Sequence, residues 1–132
     1  MGQSTDAFLA FGIDLGDEVE WPAYLTDGDE DSDYPDLAVY LGKKAGLADD
    51  AYAEQWALER AYPLDLVRHC SGDYPMWFLA LRDTVVRASS GDPKPAAMRE
   101  ITDEDRALIK AFCEEHGLAW EEPDWMIFSD RG

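Results

Sequence analysis

Four residues in this chain combine the types and spacing of metal or nucleophile chemistry: His69 and Cys70 are adjacent, and Cys113 and His116 stand three apart. On paper they compose a Cys2His2 zinc set. Residues three apart on a helix share a face, whereas neighbours in a strand point to opposite faces. His69 and Cys70 therefore cannot both turn to one ion, and no metal is expected. Cys113 reads instead as a small hydrophobe on an apolar helical stripe. A Cys/His enzyme would use Cys70 as nucleophile, with His69 or His116 as base and Asp73 as orienting carboxylate. The flanking run Ser71-Gly72-Asp73-Tyr74-Pro75 is dense turn chemistry, in which Gly72 and Pro75 shape a hairpin. That turn offers an alternative site, a small polar pocket built from His69, Cys70, Asp73 and Tyr74.

The second chemistry is carboxylate. Asp27, Asp29, Asp31 and Asp33 fall at the alternating ligand positions of a calcium loop. The position that requires glycine holds Ser32, however, and the bidentate position holds Ala38, so no calcium and no other cofactor is expected. What remains is charge. The 132 residues carry 29 acids against 11 bases, a formal net charge of −18. Residues 1–60 hold 15 acids and 3 bases, and ten acids follow one another without a base: Asp14, Asp17, Glu18, Glu20, Asp27, Asp29, Glu30, Asp31, Asp33 and Asp36. Such a balance opposes contact with nucleic-acid phosphates or an anionic membrane. It suits a partner whose own groove is basic. Trp21, Tyr24 and Tyr34 are interleaved with the acids and are predicted to pin parts of the segment to the body.

The elements that must position these residues are coarse but readable. Ala7 to Ile13 reads as a buried strand, and the acidic stretch of about 14–36 as an irregular connection. Leu37 to Lys44 fits either a short helix or a strand. Asp49 or Asp50 is placed to cap a helix that runs to about Ala61, with Tyr52, Trp56 and Leu58 on its apolar side. Leu64 to Cys70 alternates as a half-exposed strand does. Met76 to Leu81 is continuously apolar and is predicted as the central strand, with Thr84 to Val86 extending it or pairing back. Thr102 as N-cap and Gly117 beyond the last turn bound the clearest helix, whose stripe is Leu108, Ile109, Ala111, Phe112 and Cys113. Trp125 to Phe128 forms a last strand. The order predicts a single α+β domain over residues 1–132, a small, mainly antiparallel sheet covered by two to three helices. No apolar run reaches the length of a membrane span and no basic leader precedes the first apolar stretch, so the expected compartment is the cytoplasm.

Two segments carry a family resemblance. Ser4-Thr5-Asp6-Ala7 leading into Phe8-Leu9-Ala10-Phe11-Gly12, and the central His69-Cys70-Ser71-Gly72-Asp73-Tyr74-Pro75-Met76, resemble a family of small, uncharacterised acidic proteins of tailed bacteriophages and prophages. The resemblance implies phage origin and no agreed activity or catalytic residues. Together with the charge, it raises the expectation of a non-enzymatic inhibitor. Its partner would be a host nucleic-acid-handling protein, a CRISPR effector or restriction factor, engaged through the ten acids of 14–36 in the manner of a nucleic-acid mimic. The alternative is a phage interaction module centred on the His69–Met76 turn.

Overall fold

The computed structural model describes residues 5–26 and 34–131. Its first element, β1 (Thr5–Gly16), is longer than the apolar run that announces it. Two faces of this strand are buried: Phe8 and Ala10 enter one apolar cluster, Phe11 and Ile13 another. A bulge between Asp14 and Gly16 ends it, with Gly16 at φ 76°.

Three helices follow from local signals. Helix α1 (Leu37–Lys44) resolves the ambiguity of 37–44, because Asp36 caps it by accepting from the Val39 amide at 3.0 Å. Lys43 and Lys44 occupy its last turn, where cations are favoured. Helix α2 (Tyr52–Ala61) starts after Ala51 without a side-chain cap, so neither Asp49 nor Asp50 plays the predicted role. Its inner contact is polar: Gln55 is buried and donates to the carbonyls of Ala48 and Asp49. Gly42 of α1 leaves room for that side chain, since a Cβ there would lie 2.7 Å from Gln55 Cγ. Tyr52 and Trp56, predicted as apolar contacts, are 58% and 55% exposed and stack on each other instead.

Helix α3 (Asp103–His116) is bounded as the sequence predicts. Thr102 and Asp105 form a reciprocal capping box, and Gly117 closes the other end in the left-handed conformation at φ 69°. Arg99 braces the cap through both Asp105 and Asp83, and this holds the Asp105 carboxyl well below the usual carboxylate range. The buried stripe is Ile109, Phe112, Cys113 and His116; Leu108 and Ala111 turn out to solvent. The helix rotates about the positions Ile109 and Phe112, and the hydrophobic count alone does not reveal which side they take.

Strands β2 (Leu64–Ser71) and β3 (Pro75–Leu81) form an antiparallel hairpin, β4 (Val86–Ser89) pairs back on β1, and β5 (Asp124–Arg131) closes the sheet. β1 is the organiser. It pairs with β5 along Thr5–Gly12 on one edge, and with β4 and then β3 on the other. β5 meets β2 in parallel only at Cys70 and Ser71. The pairings therefore run in a ring from β1 to β5, β2, β3 and back. Phe8, Ala10, Val67, Phe78 and Ala80 form one cluster of this sheet. Phe11, Ile13, Leu79 and Leu81 join Ile109, Phe112 and Leu37 of the helices in the other. Among the described residues, no helix is long and apolar enough to cross a membrane.

Candidate functional site: an acidic cleft

The ends of β1 and α3 lie side by side. At the start of the bulge, Asp14 keeps its carboxylate 3.0 Å from Nε2 of His69 and accepts from the Gly16 amide at 3.1 Å. The chain then runs through Glu18, Val19 and Glu20 to Trp21, which meets Trp77 edge-on at 6.0 Å. From the other side, α3 stops at Gly117 and Leu118 donates back to the Cys113 carbonyl at 2.9 Å. Between the two stretches is a cleft of about 300 Å³, lined by Asp14, Glu18, Glu20 and Glu121 over an apolar floor that includes Leu15, Val19 and Leu118.

The electrostatics of this cleft have one sign. Among the described residues, Glu18, Glu20 and Glu121 take part in no ion pair. The C-terminal end of a helix carries roughly half a negative charge, so α3 adds to the carboxylates where it abuts them. Among the described residues, no group of three His, Cys, Asp or Glu side chains is placed to share a metal ion. Spaced carboxylates over an apolar floor suit extended cations, the alkyl stems and charged heads of Lys and Arg.

Three of the ten acids singled out by sequence, Asp14, Glu18 and Glu20, are thus brought together. Asp17 is exposed nearby, while Asp36 is spent on capping α1. Asp27, Asp29, Glu30, Asp31 and Asp33 lie outside the described residues. The 14–36 stretch is less irregular than predicted, since Asp14 to Gly16 belong to β1, Ala23–Leu25 form a 3-10 turn and Thr26 bridges to Pro35. Glu121 has no counterpart in the sequence reading; its only signal is its position four residues past the helix-ending Gly117. The alternative pocket is not assembled: His69 is buried against Phe128, whereas Cys70, Asp73 and Tyr74 are exposed. Cys70 adopts φ 74°, the one non-glycine residue with positive φ among those described.

The three predicted aromatic pins hold. Trp21 and Tyr34 both meet Trp77, and Tyr24 packs on Tyr40 and His116. The Tyr24 hydroxyl lies 2.9 Å from Nδ1 of His116, whose side chain is 0% exposed and rests on Phe112 at 4.3 Å. The Tyr24 hydroxyl also lies 3.5 Å from the Glu115 carbonyl, and Nε2 of His116 is buried 3.7 Å from the Glu115 carboxylate without a hydrogen bond. Burial holds His116 below its ordinary pKa, partly countered by Glu115 and reinforced by Lys44. The unfolded chain therefore binds more protons than the native one below pH 6.5, and stability falls as pH drops through that value. Denaturant titrations at pH 7 and at about pH 5.5 should show a stability loss in the wild type that is reduced in His116→Gln; equal losses would contradict this assignment.

Neither a protein-family model, nor a curated protein, nor a solved structure matches this chain.

Proposed function

We propose that this protein is a non-enzymatic inhibitor that occupies the basic, phosphate-binding groove of a host nucleic-acid-handling protein. Phage origin and a defence target of the CRISPR or restriction type are part of the same reading, and the site of action is the bacterial cytoplasm. The observation that carries it is the cleft of Asp14, Glu18, Glu20 and Glu121, set at the negative end of α3, whose three glutamates take part in no ion pair among the described residues. Trp21, next to Glu20, and Tyr24, packed on His116 at the end of α3, hold the chain beside this cleft, so its carboxylates meet Lys and Arg side chains without a large ordering cost. The remaining excess of charge steers a basic partner into place and accelerates association.

The immobilised protein should retain a nucleic-acid-binding protein from bacterial lysate at about 50 mM salt and release it at about 200 mM. Duplex DNA added at constant salt should displace the same protein. A partner that DNA does not displace would overturn the mimicry.

A further inference from the structure

β2 pairs with β3 along Leu64–Cys70 but meets β5 only at Cys70 and Ser71. Beside the stretch 65–68 of β2 there is a cavity of about 510 Å³, which shares no lining residue with the acidic cleft. Its walls present Arg68 and Arg87, Asp65 and Asp130, and the rings of Trp77 and Phe8. Two arginines at one cavity stand out in a chain with only 11 bases.

Both guanidinium groups are held in place and keep donors to spare. Arg87 is anchored on Asp6, whose Oδ2 accepts from both Nε, at 3.0 Å, and Nη2, and it lies over the Phe8 ring at 5.7 Å. Arg68 reaches Oδ2 of Asp130 at 3.3 Å, while Oδ1 of that carboxylate is buried with no hydrogen-bond partner. The contact thus uses one oxygen and one nitrogen. A guanidinium has five N–H donors, and the side chains of Arg68 and Arg87 remain 42% and 63% exposed. Two anchored forks at one cavity suit a dianion with several acceptor oxygens. Asp65, paired with Arg82 at 3.4 Å, adds a carboxylate able to accept from sugar hydroxyls. Trp77 supplies a flat face whose orientation is set by edge contacts with Trp21 and Tyr34.

We propose that this cavity binds a nucleoside monophosphate, with the phosphate on Arg68 and Arg87, the sugar hydroxyls toward Asp65 and the base against Trp77. The cavity volume lies in the range of small-molecule sites, and the three kinds of lining group match the three parts of such a ligand. Calorimetry with AMP and UMP is expected to give one site per chain with a Kd below about 1 mM for at least one of them. Adenosine and orthophosphate should each bind about tenfold more weakly, and amide shifts on nucleotide addition should cluster at 65–68, 85–87 and 130. The double variant Arg68→Gln/Asp130→Asn removes the cation and the buried carboxylate together, and about tenfold of affinity should go with them. Arg68→Lys keeps the charge but loses the fork, so it should weaken binding even if the double variant fails to fold. The proposal is overturned if neither nucleotide binds at about 1 mM, or if adenosine binds as well as AMP. It is also overturned if the shifts fall elsewhere, or if Arg68→Lys and the folded double variant bind like the wild type.

Discussion

A Gly12→Ala variant is expected to lose about 3 kcal/mol of stability, and about 10 °C in Tm, for the sake of one methyl group. Gly12 is where β1 changes partners: it is the last residue paired with β5, opposite Asp124, and the first paired with β3, opposite Ala80. A Cβ at this position would stand 1.9 Å from the Leu79 carbonyl oxygen and 2.9 Å from Ala80 Cα. Those neighbours are backbone atoms of the buried half of β3, where Leu79 and Ala80 are both 0% exposed, so no rotamer change relieves the clash. The ring of strands has to open locally or the chain has to shift register. Gly72, by contrast, has open space at its Cβ position and no positive φ, although the sequence reading made it a shaper of the turn. Gly72→Ala should melt within about 0.5 kcal/mol of the wild type. Equal melting of both variants would mean that β1 and β3 do not approach as closely as described.

Phe112→Ala is expected to cost about 3–5 kcal/mol, through lost apolar transfer and the cavity left behind. The ring is 2% exposed, lies in the cluster that joins α3 to the sheet, and touches both Tyr62 and His116. Its removal also frees the His116 imidazole that binds Tyr24, so the approach to the acidic cleft loosens along with the helix. Leu108→Ala, one turn earlier and 40% exposed, should cost far less. Urea denaturation of the two variants measures the contrast directly. A larger loss at Leu108 would place the other face of α3 against the sheet.

The α+β sheet and the limits of α3 were legible because they rest on signals a few residues long. Thr102 followed by Asp105, Gly117 in the left-handed region, and the apolar run of β3 are sufficient locally. The three aromatic pins were legible for a related reason: large rings within a charged stretch have little alternative but to pack. The helical choice at 37–44 was not, since it turns on Asp36 acting as a cap. The buried role of Gln55 was equally hidden. A polar residue flanked by Tyr52 and Trp56 looks like the outward one, and the facing glycine at 42 reverses that assignment. The site divides in the same way. Charge density marked Asp14, Glu18 and Glu20, but only the meeting of β1 with the end of α3 adds Glu121. The ring of strands and the arginine-lined cavity depend on β5 returning to β2 across some sixty residues, a pairing that no local pattern encodes.

The central claim is that binding resides in the placement of the cleft carboxylates, beyond the total charge. The decisive measurement is the salt dependence of Kd for the captured partner with two neutralised sets of equal size. One is Glu18→Gln/Glu20→Gln/Glu121→Gln in the cleft; the other is Asp73→Asn/Glu104→Gln/Glu114→Gln, exposed and outside it. Each set removes three charges from a total of −18. The cleft variant should lose about a hundredfold in affinity at low salt and show a shallower dependence on log salt, while the control stays within about threefold of the wild type. Equal losses from the two sets would show that net charge alone governs binding, and would contradict the assignment of the cleft as the site.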